Sequence, residues 1–147
     1  MIRKNLLDLN VLIALADQRH DHHQIARTWF ATTGKHHWGI CPLTEAGFLR
    51  VTTGPTFRPG PNTFARAIAI LQSLKGLSGY SYWEIKESWV NLTAPFASRI
   101  SGHQQVTDAY LLGLAIKEEG VLVTFDKGIQ YMAGAEFGRH VLVLGNP

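Results

Sequence analysis

The sequence predicts an α/β domain in three layers, α/β/α, around a central and mostly parallel sheet. Three observations carry this. Short apolar runs rich in β-branched residues alternate with segments of helical period, the signature of a parallel sheet with helices on both faces. Two of the apolar runs close on an aspartate, Asp8 and Asp126, and a helical segment follows each. The chain has 147 residues, 46% hydrophobic and 17% charged, with no repeat or low-complexity tract, so a single domain over residues 1–147 is expected.

Asn5 to Asp8 reads as a short buried strand, and Val11 to Asp17 as a helix entered at once. Asp21 with Gln24 forms a variant capping box for a second helix, Asp21 to Ala31. Trp38 to Cys41 reads as a strand stopped by Pro42, with Thr44 as cap of a helix carrying Glu45 to Thr52. The next stretch, Gly54-Pro55-Thr56-Phe57-Arg58-Pro59-Gly60-Pro61, is five-eighths Gly and Pro and must be a loop. Asn62 then caps a helix whose Phe64, Ala67, Ile68, Leu71 and Leu74 share one face. Tyr80 to Trp83 reads as a strand and Glu84 to Leu92 as helical. A helix starting at Gln105 or Thr107 runs to about Glu119, with Gly120 as its C-cap. Val121 to Phe125 is a central strand, Gly128 to Ala133 a short helix, and His140 to Leu144 the last strand.

Four of the eleven acids sit against apolar runs: Asp8 and Asp126 at strand ends, Glu45 and Asp108 at helix starts. Ligands of open α/β sheets bind in the crevice at the carboxyl ends of the strands. Two carboxylates about 5 Å apart repel by roughly 3 kcal/mol at an effective dielectric near 20. A hard divalent cation, Mg²⁺ or Mn²⁺, relieves that repulsion and takes oxygen ligands. Such a site suits phosphodiester hydrolysis. Asn10 is a candidate for orienting a water or a phosphate, or for capping the helix after it. Thr124 is a candidate partner for a bound water. Arg50, Lys127 and Arg58 are candidate phosphate contacts, although Arg50 lies about 140° round the helix from Glu45.

Net charge is +3 and the pI about 9.2, so neutralising four acids leaves a basic surface suited to a polyanion. The single cysteine, Cys41, excludes an internal disulfide and fits a reducing, cytoplasmic setting. The longest apolar run, Val11 to Ala16, is too short to cross a membrane, and Asp8 and Asn10 interrupt any signal-peptide core. His20, His22, His23, His36 and His37 lack a completing ligand set and read as surface or packing residues. Trp29 and Trp38 read as core. Trp83, after a strand, is a candidate for stacking on a base.

The chain resembles the PIN-domain nucleases, and within them the VapC toxins of bacterial toxin–antitoxin modules. The resemblance lies in Leu7-Asp8-Leu9-Asn10-Val11-Leu12, Leu43-Thr44-Glu45-Ala46-Gly47-Phe48-Leu49-Arg50-Val51, Gln105-Val106-Thr107-Asp108-Ala109-Tyr110-Leu111-Leu112 and Val123-Thr124-Phe125-Asp126-Lys127-Gly128. It spans essentially the whole chain, least specifically over residues 54–104. It implies a PIN-like fold and a Mg²⁺- or Mn²⁺-dependent endoribonuclease, often dimeric, with Asp8, Glu45, Asp108 and Asp126 as metal-binding catalytic residues. It also implies a VapB-type antitoxin as partner.

Two rival functions are distinguishable. A phosphohydrolase of the haloacid-dehalogenase type also begins with a strand-end Asp, but expects a second acid where Asn10 stands and a phosphate-binding Lys. A non-catalytic RNA-binding module has no use for four acids that repel phosphate.

Overall fold

The computed structural model describes residues 3–145; Met1, Ile2, Asn146 and Pro147, part of the expected domain, lie outside the described residues. Its centre is a four-stranded sheet with every pairing parallel, in the order β2-β1-β3-β4. The strands are β1 (Asn5–Leu7), β2 (Trp38–Gly39), β3 (Val121–Thr124) and β4 (Val141–Val143). The helices are α1 (Leu9–Ala16), α2 (His23–Thr32), α3 (Pro42–Thr52), α4 (Phe64–Lys75), α5 (Trp89–Thr93), α6 (Val106–Lys117) and α7 (Lys127–Phe137).

Side chains of a strand alternate between faces, and β3 divides its own accordingly. Leu122 joins a core with Leu6, Tyr110, Leu111, Ile129 and Met132, while Val121 and Val123 join a second core with Leu7, Val11, Leu12, Trp38 and Phe48. The sheet is therefore covered on both faces: α5, α6 and α7 pack on one and α1, α2 and α3 on the other. That is the three-layer architecture expected. Among the described residues no helix is long and apolar enough to cross a membrane.

Several boundaries differ from expectation, each for a local reason. The third helix begins at Pro42, two residues before Thr44, because proline suits the first helical position, where its missing N–H is not needed. The second helix begins at His23, with His22 rather than Asp21 at the N-cap position. Thr63 caps α4 by accepting from the Arg66 N–H at 3.1 Å, and Asn62 instead donates to the Thr52 carbonyl. Residues 84–88 are not helical: the Tyr110 hydroxyl donates to the Glu87 carbonyl at 2.7 Å and Lys117 pairs with the Glu87 carboxylate. Tertiary partners override the local helical preference there, and only Trp89–Thr93 forms a helix. The segment expected as a strand at Tyr80 to Trp83 makes a single bridge to Trp38, although its Ser81 and Trp83 N–H groups donate to Trp38 and Ile40. Trp83 is buried, so it offers no face to a base. The α7 helix runs on to Phe137 past a break at Gly134, which has φ 64°.

Gly120 follows α6 where Glu119, not the glycine, takes the left-handed conformation, φ 59°. The glycine is needed for closeness instead: a Cβ there would lie 2.7 Å from the Lys4 carbonyl oxygen and 2.7 Å from the Trp83 ring.

Candidate functional site

Asp8 immediately follows β1, and its Oδ1 caps α1 by accepting the Leu9 N–H at 2.7 Å. Its backbone N–H donates to the Val123 carbonyl, which ties it to the end of β3. Thr124, fully buried at the end of β3, donates its hydroxyl to Asp8 Oδ2 at 2.7 Å and accepts the Asp126 N–H at 3.0 Å. One threonine thus joins the two strand-end aspartates. Its proton is committed to Asp8, so it acts on the carboxylate rather than on a bound water. Asp126 caps α7 by accepting the Gly128 N–H at 2.8 Å. Asp108 projects from the first turn of α6.

Asp8, Asp108 and Asp126 line one cleft of about 550 Å³, together with Asn10, His20 and Arg50. No cation of the described residues forms an ion pair with any of the three aspartates. Burial, with Asp8 and Asp126 beside it, pushes the Asp108 carboxyl up to about 7. Burial also raises Asp8, opposed by the hydrogen bonds from Thr124 and Leu9 and reinforced by Asp126. Both shifts have the sign of carboxylates buried without a counter-charge. Asn10 Oδ1 is buried in the same region with no hydrogen-bond partner.

Glu45 is not in this cleft. Its carboxylate lies 2.5 Å from Lys75 Nζ, at the last turn of α4. Lys75 in turn lies over the rings of Tyr80 and Tyr82. The 140° between Glu45 and Arg50 is what separates them: α3 turns Thr44, Gly47, Arg50 and Val51 to the cleft and Glu45 toward α4. Gly47 permits that approach, since a Cβ there would lie 2.7 Å from the Leu9 side chain. Lys127 is exposed at the start of α7 and does not line the cleft. Arg58 lines an adjoining hollow rather than the acidic centre. His20, read from the sequence as a surface or packing residue, lines the cleft. No signal in the sequence marked it, because its relation to Asp8 and Arg50 arises only when α1 packs on α3.

Among the described residues no three His, Cys, Asp or Glu side chains are grouped closely enough to enclose a metal by themselves. The donor set nevertheless fits Mg²⁺ or Mn²⁺. Such ions keep several waters and are held by one or two carboxylates plus substrate phosphate, not by an all-protein cage. Carboxylates raised chiefly by burial, and further by one another's charge, with no cation beside them, are suitable donors.

An all-parallel α/β/α sheet with aspartates at the carboxyl ends of two central strands is the architecture of a PIN domain, and the PIN domain family matches residues 6–135. Ribonuclease VapC38 of Mycobacterium tuberculosis is 42% identical over 128 residues, covering 87% of this chain and 89% of that protein. Ribonuclease VapC39 of the same species is 37% identical over 130 residues, covering 88% and 94%. The chain belongs to the VapC family of PIN-domain proteins. The fold is shared with solved structures of much lower identity. FitAcB from Neisseria gonorrhoeae matches with a TM-score of 0.63 at 16% identity over 88% of this chain and 92% of that one. VapBC2 from Rickettsia felis, bound to a DNA fragment from its promoter, matches with a TM-score of 0.58 at 12% identity over 95% and 98%.

Proposed function

We propose that this chain is a metal-dependent endoribonuclease of a toxin–antitoxin module, hydrolysing RNA phosphodiester bonds at the three-aspartate cleft. The observation that carries the reading is the convergence of Asp8, Asp108 and Asp126, without cationic partners, on one cleft at the carboxyl end of the sheet. The relatives named ribonucleases support the substrate class.

Asp8, Asp108 and Asp126 are the residues that would hold Mg²⁺ or Mn²⁺. When bound, such an ion polarises a phosphoryl oxygen and makes a water acidic enough to attack. Thr124 fixes the Asp8 carboxylate through its hydroxyl and the Asp126 backbone through its lone pair. The Asp8 cap on α1 and the Asp126 cap on α7 lock both carboxylates against rotation. Asn10 lines the cleft beside the aspartates, where its amide can orient a water or a phosphate. Arg50, which lines the same cleft, supplies positive charge for the RNA backbone. Glu45, implied by the family resemblance as a fourth metal-binding residue, is paired with Lys75 and ties α3 to α4. By the same resemblance the partner is a VapB-type antitoxin, which would block the acidic cleft with an Arg through paired charge-assisted hydrogen bonds, and the working form is a homodimer in the cytoplasm.

The test is incubation of the purified chain with total RNA in Mg²⁺ or Mn²⁺, with EDTA as control, followed by analysis of the new ends. Hydrolysis by a water leaves a 5′-phosphate and a 3′-hydroxyl, and persists when the residue 5′ of the cut is 2′-deoxy. Cutting that survives EDTA, or that leaves cyclic phosphates and is abolished by the 2′-deoxy residue, would refute the role given to the aspartates.

A further inference from the structure

The acidic cleft does not end at Arg50. It shares Ile13, His20, Arg50 and Val51 with a second hollow of about 340 Å³, whose far side is formed by Phe57 and Arg58 of the Gly/Pro-rich loop. That volume lies within the range of sites that take small molecules, about 300–1,000 Å³. Its chemistry is specific. Arg50 and Arg58 stand on it, and among the described residues neither is in an ion pair. Phe57 is a half-buried aromatic beside them. One carboxylate, Asp17, lines the same hollow. Its Oδ1 accepts the Arg19 N–H at 3.0 Å, which leaves Oδ2 as an acceptor. His20 stands where the two hollows meet, and its Nδ1 accepts the His22 N–H at 3.1 Å. A neutral ring so bonded carries its proton on Nε2, which makes that nitrogen a donor and not a metal ligand.

We propose that this second hollow is a nucleotide subsite: Arg50 and Arg58 hold the phosphate flanking the scissile one, Phe57 stacks on the base, and Asp17 accepts a hydrogen bond from the base's amino group. This rests on the reading of the chain as a ribonuclease and adds to it a preference among bases. Two guanidinium groups and an aromatic ring are the combination that holds single-stranded nucleic acid, with backbone charge and base stacking acting together. A carboxylate at the base edge accepts from the amino group of cytosine or adenine. Uracil has no exocyclic amino group and can meet the carboxylate only through its ring N3–H, which lies deeper on the base edge.

The experiment measures binding of fluorescently labelled short oligoribonucleotides of A, C or U to the full-length chain carrying Asp8→Asn, which keeps bound RNA uncut. Circular dichroism melts of every variant check folding. The A and C oligomers should bind more tightly than U, and adding Asp17→Ala, which removes the acceptor, should erase that difference. Adding Arg58→Ala should weaken binding and lower the slope of log affinity against log salt by about 0.7, one phosphate contact on a single strand. Adding Phe57→Leu, which keeps apolar bulk but removes the stacking face, should weaken binding about tenfold with the salt slope unchanged. Equal affinity for A, C and U, or Phe57→Leu and Arg58→Ala proteins that bind and melt like their parent, would overturn the subsite. Cleavage by the wild-type chain is scored separately. Wild-type protein that cuts no RNA, while these variants still lose binding as stated, would leave the subsite standing and remove the ribonuclease reading. Wild-type protein that cuts RNA while the variants bind normally would do the reverse.

Discussion

The two ends of the sheet treat their acids in opposite ways. At the carboxyl end, Asp8, Asp108 and Asp126 face one cleft with no cation of their own, and Asp108 is pushed up to about 7 by burial and by its two neighbours. On the far side of the molecule a cleft of similar size, about 510 Å³, is lined by Lys4, Lys86, Lys117, Glu84, Glu87 and Glu118. There Glu84 pairs with Lys86 and Glu87 with Lys117, and the hydrogen bond from Lys117 holds Glu87 below the ordinary carboxylate range. Paired surface acids are neutral to the fold. Unpaired converging acids oppose it, and a fold retains them where a ligand will balance them. Glu45, paired with Lys75, belongs with the paired acids although the segment that carries it also lines the acidic cleft.

Substitutions should separate the two kinds. Asp8→Asn should reduce RNA cleavage by more than about a hundredfold, because it removes ligand charge at the centre; activity within tenfold of wild type in a cleavage assay would break the comparison. Thr124→Val keeps the shape but removes the hydroxyl that orients Asp8, and should cost about 10–100-fold in metal affinity, read by Mn²⁺ titration. Glu45→Gln should change cleavage by less than about threefold while lowering stability slightly, because its partner is Lys75 and not the cleft. A Glu45→Gln protein as inactive as Asp8→Asn would return Glu45 to the catalytic set. Lys117→Met, at the far end, should leave cleavage unchanged and move the melting temperature by no more than about 2 °C, as expected for an exposed pair.

The three aspartates were legible in the sequence because strand ends and helix starts are local features. Each is fixed by the apolar run beside it, and the run sets the direction. The order of strands and helices followed from the same runs. Glu45 was not legible in this way. The helix that carries it starts at Pro42, and the face it turns to the cleft is set by Gly47 against Leu9 of another helix. Its partner Lys75 lies 30 residues on, at the end of a helix whose packing no local pattern reveals. His20 was missed for the same reason: it enters the cleft from a turn after α1, by tertiary packing alone. The segment Glu84 to Leu92 failed differently, since a local helical preference lost to bonds from Tyr110 and Lys117.

If the converging aspartates hold a divalent cation, they should oppose folding until it binds. The folded carboxyl of Asp108 lies near 7, and an unfolded one near 4. Between those values the folded chain binds more protons than the unfolded chain, so stability is lost as pH rises through that window and stays lost above it. The most direct measurement is the melting temperature of the wild-type and Asp108→Asn proteins at pH 8 and pH 4, in EDTA and, at pH 8, in Mn²⁺. In EDTA, Asp108→Asn should melt higher than wild type at pH 8, by about 2–4 °C for each kcal/mol of repulsion removed, and should melt at the same temperature as wild type at pH 4. Mn²⁺ at pH 8 should raise the wild type and leave Asp108→Asn nearly unmoved. Equal melting in EDTA at pH 8, with Mn²⁺ raising both proteins alike or neither, would contradict the account.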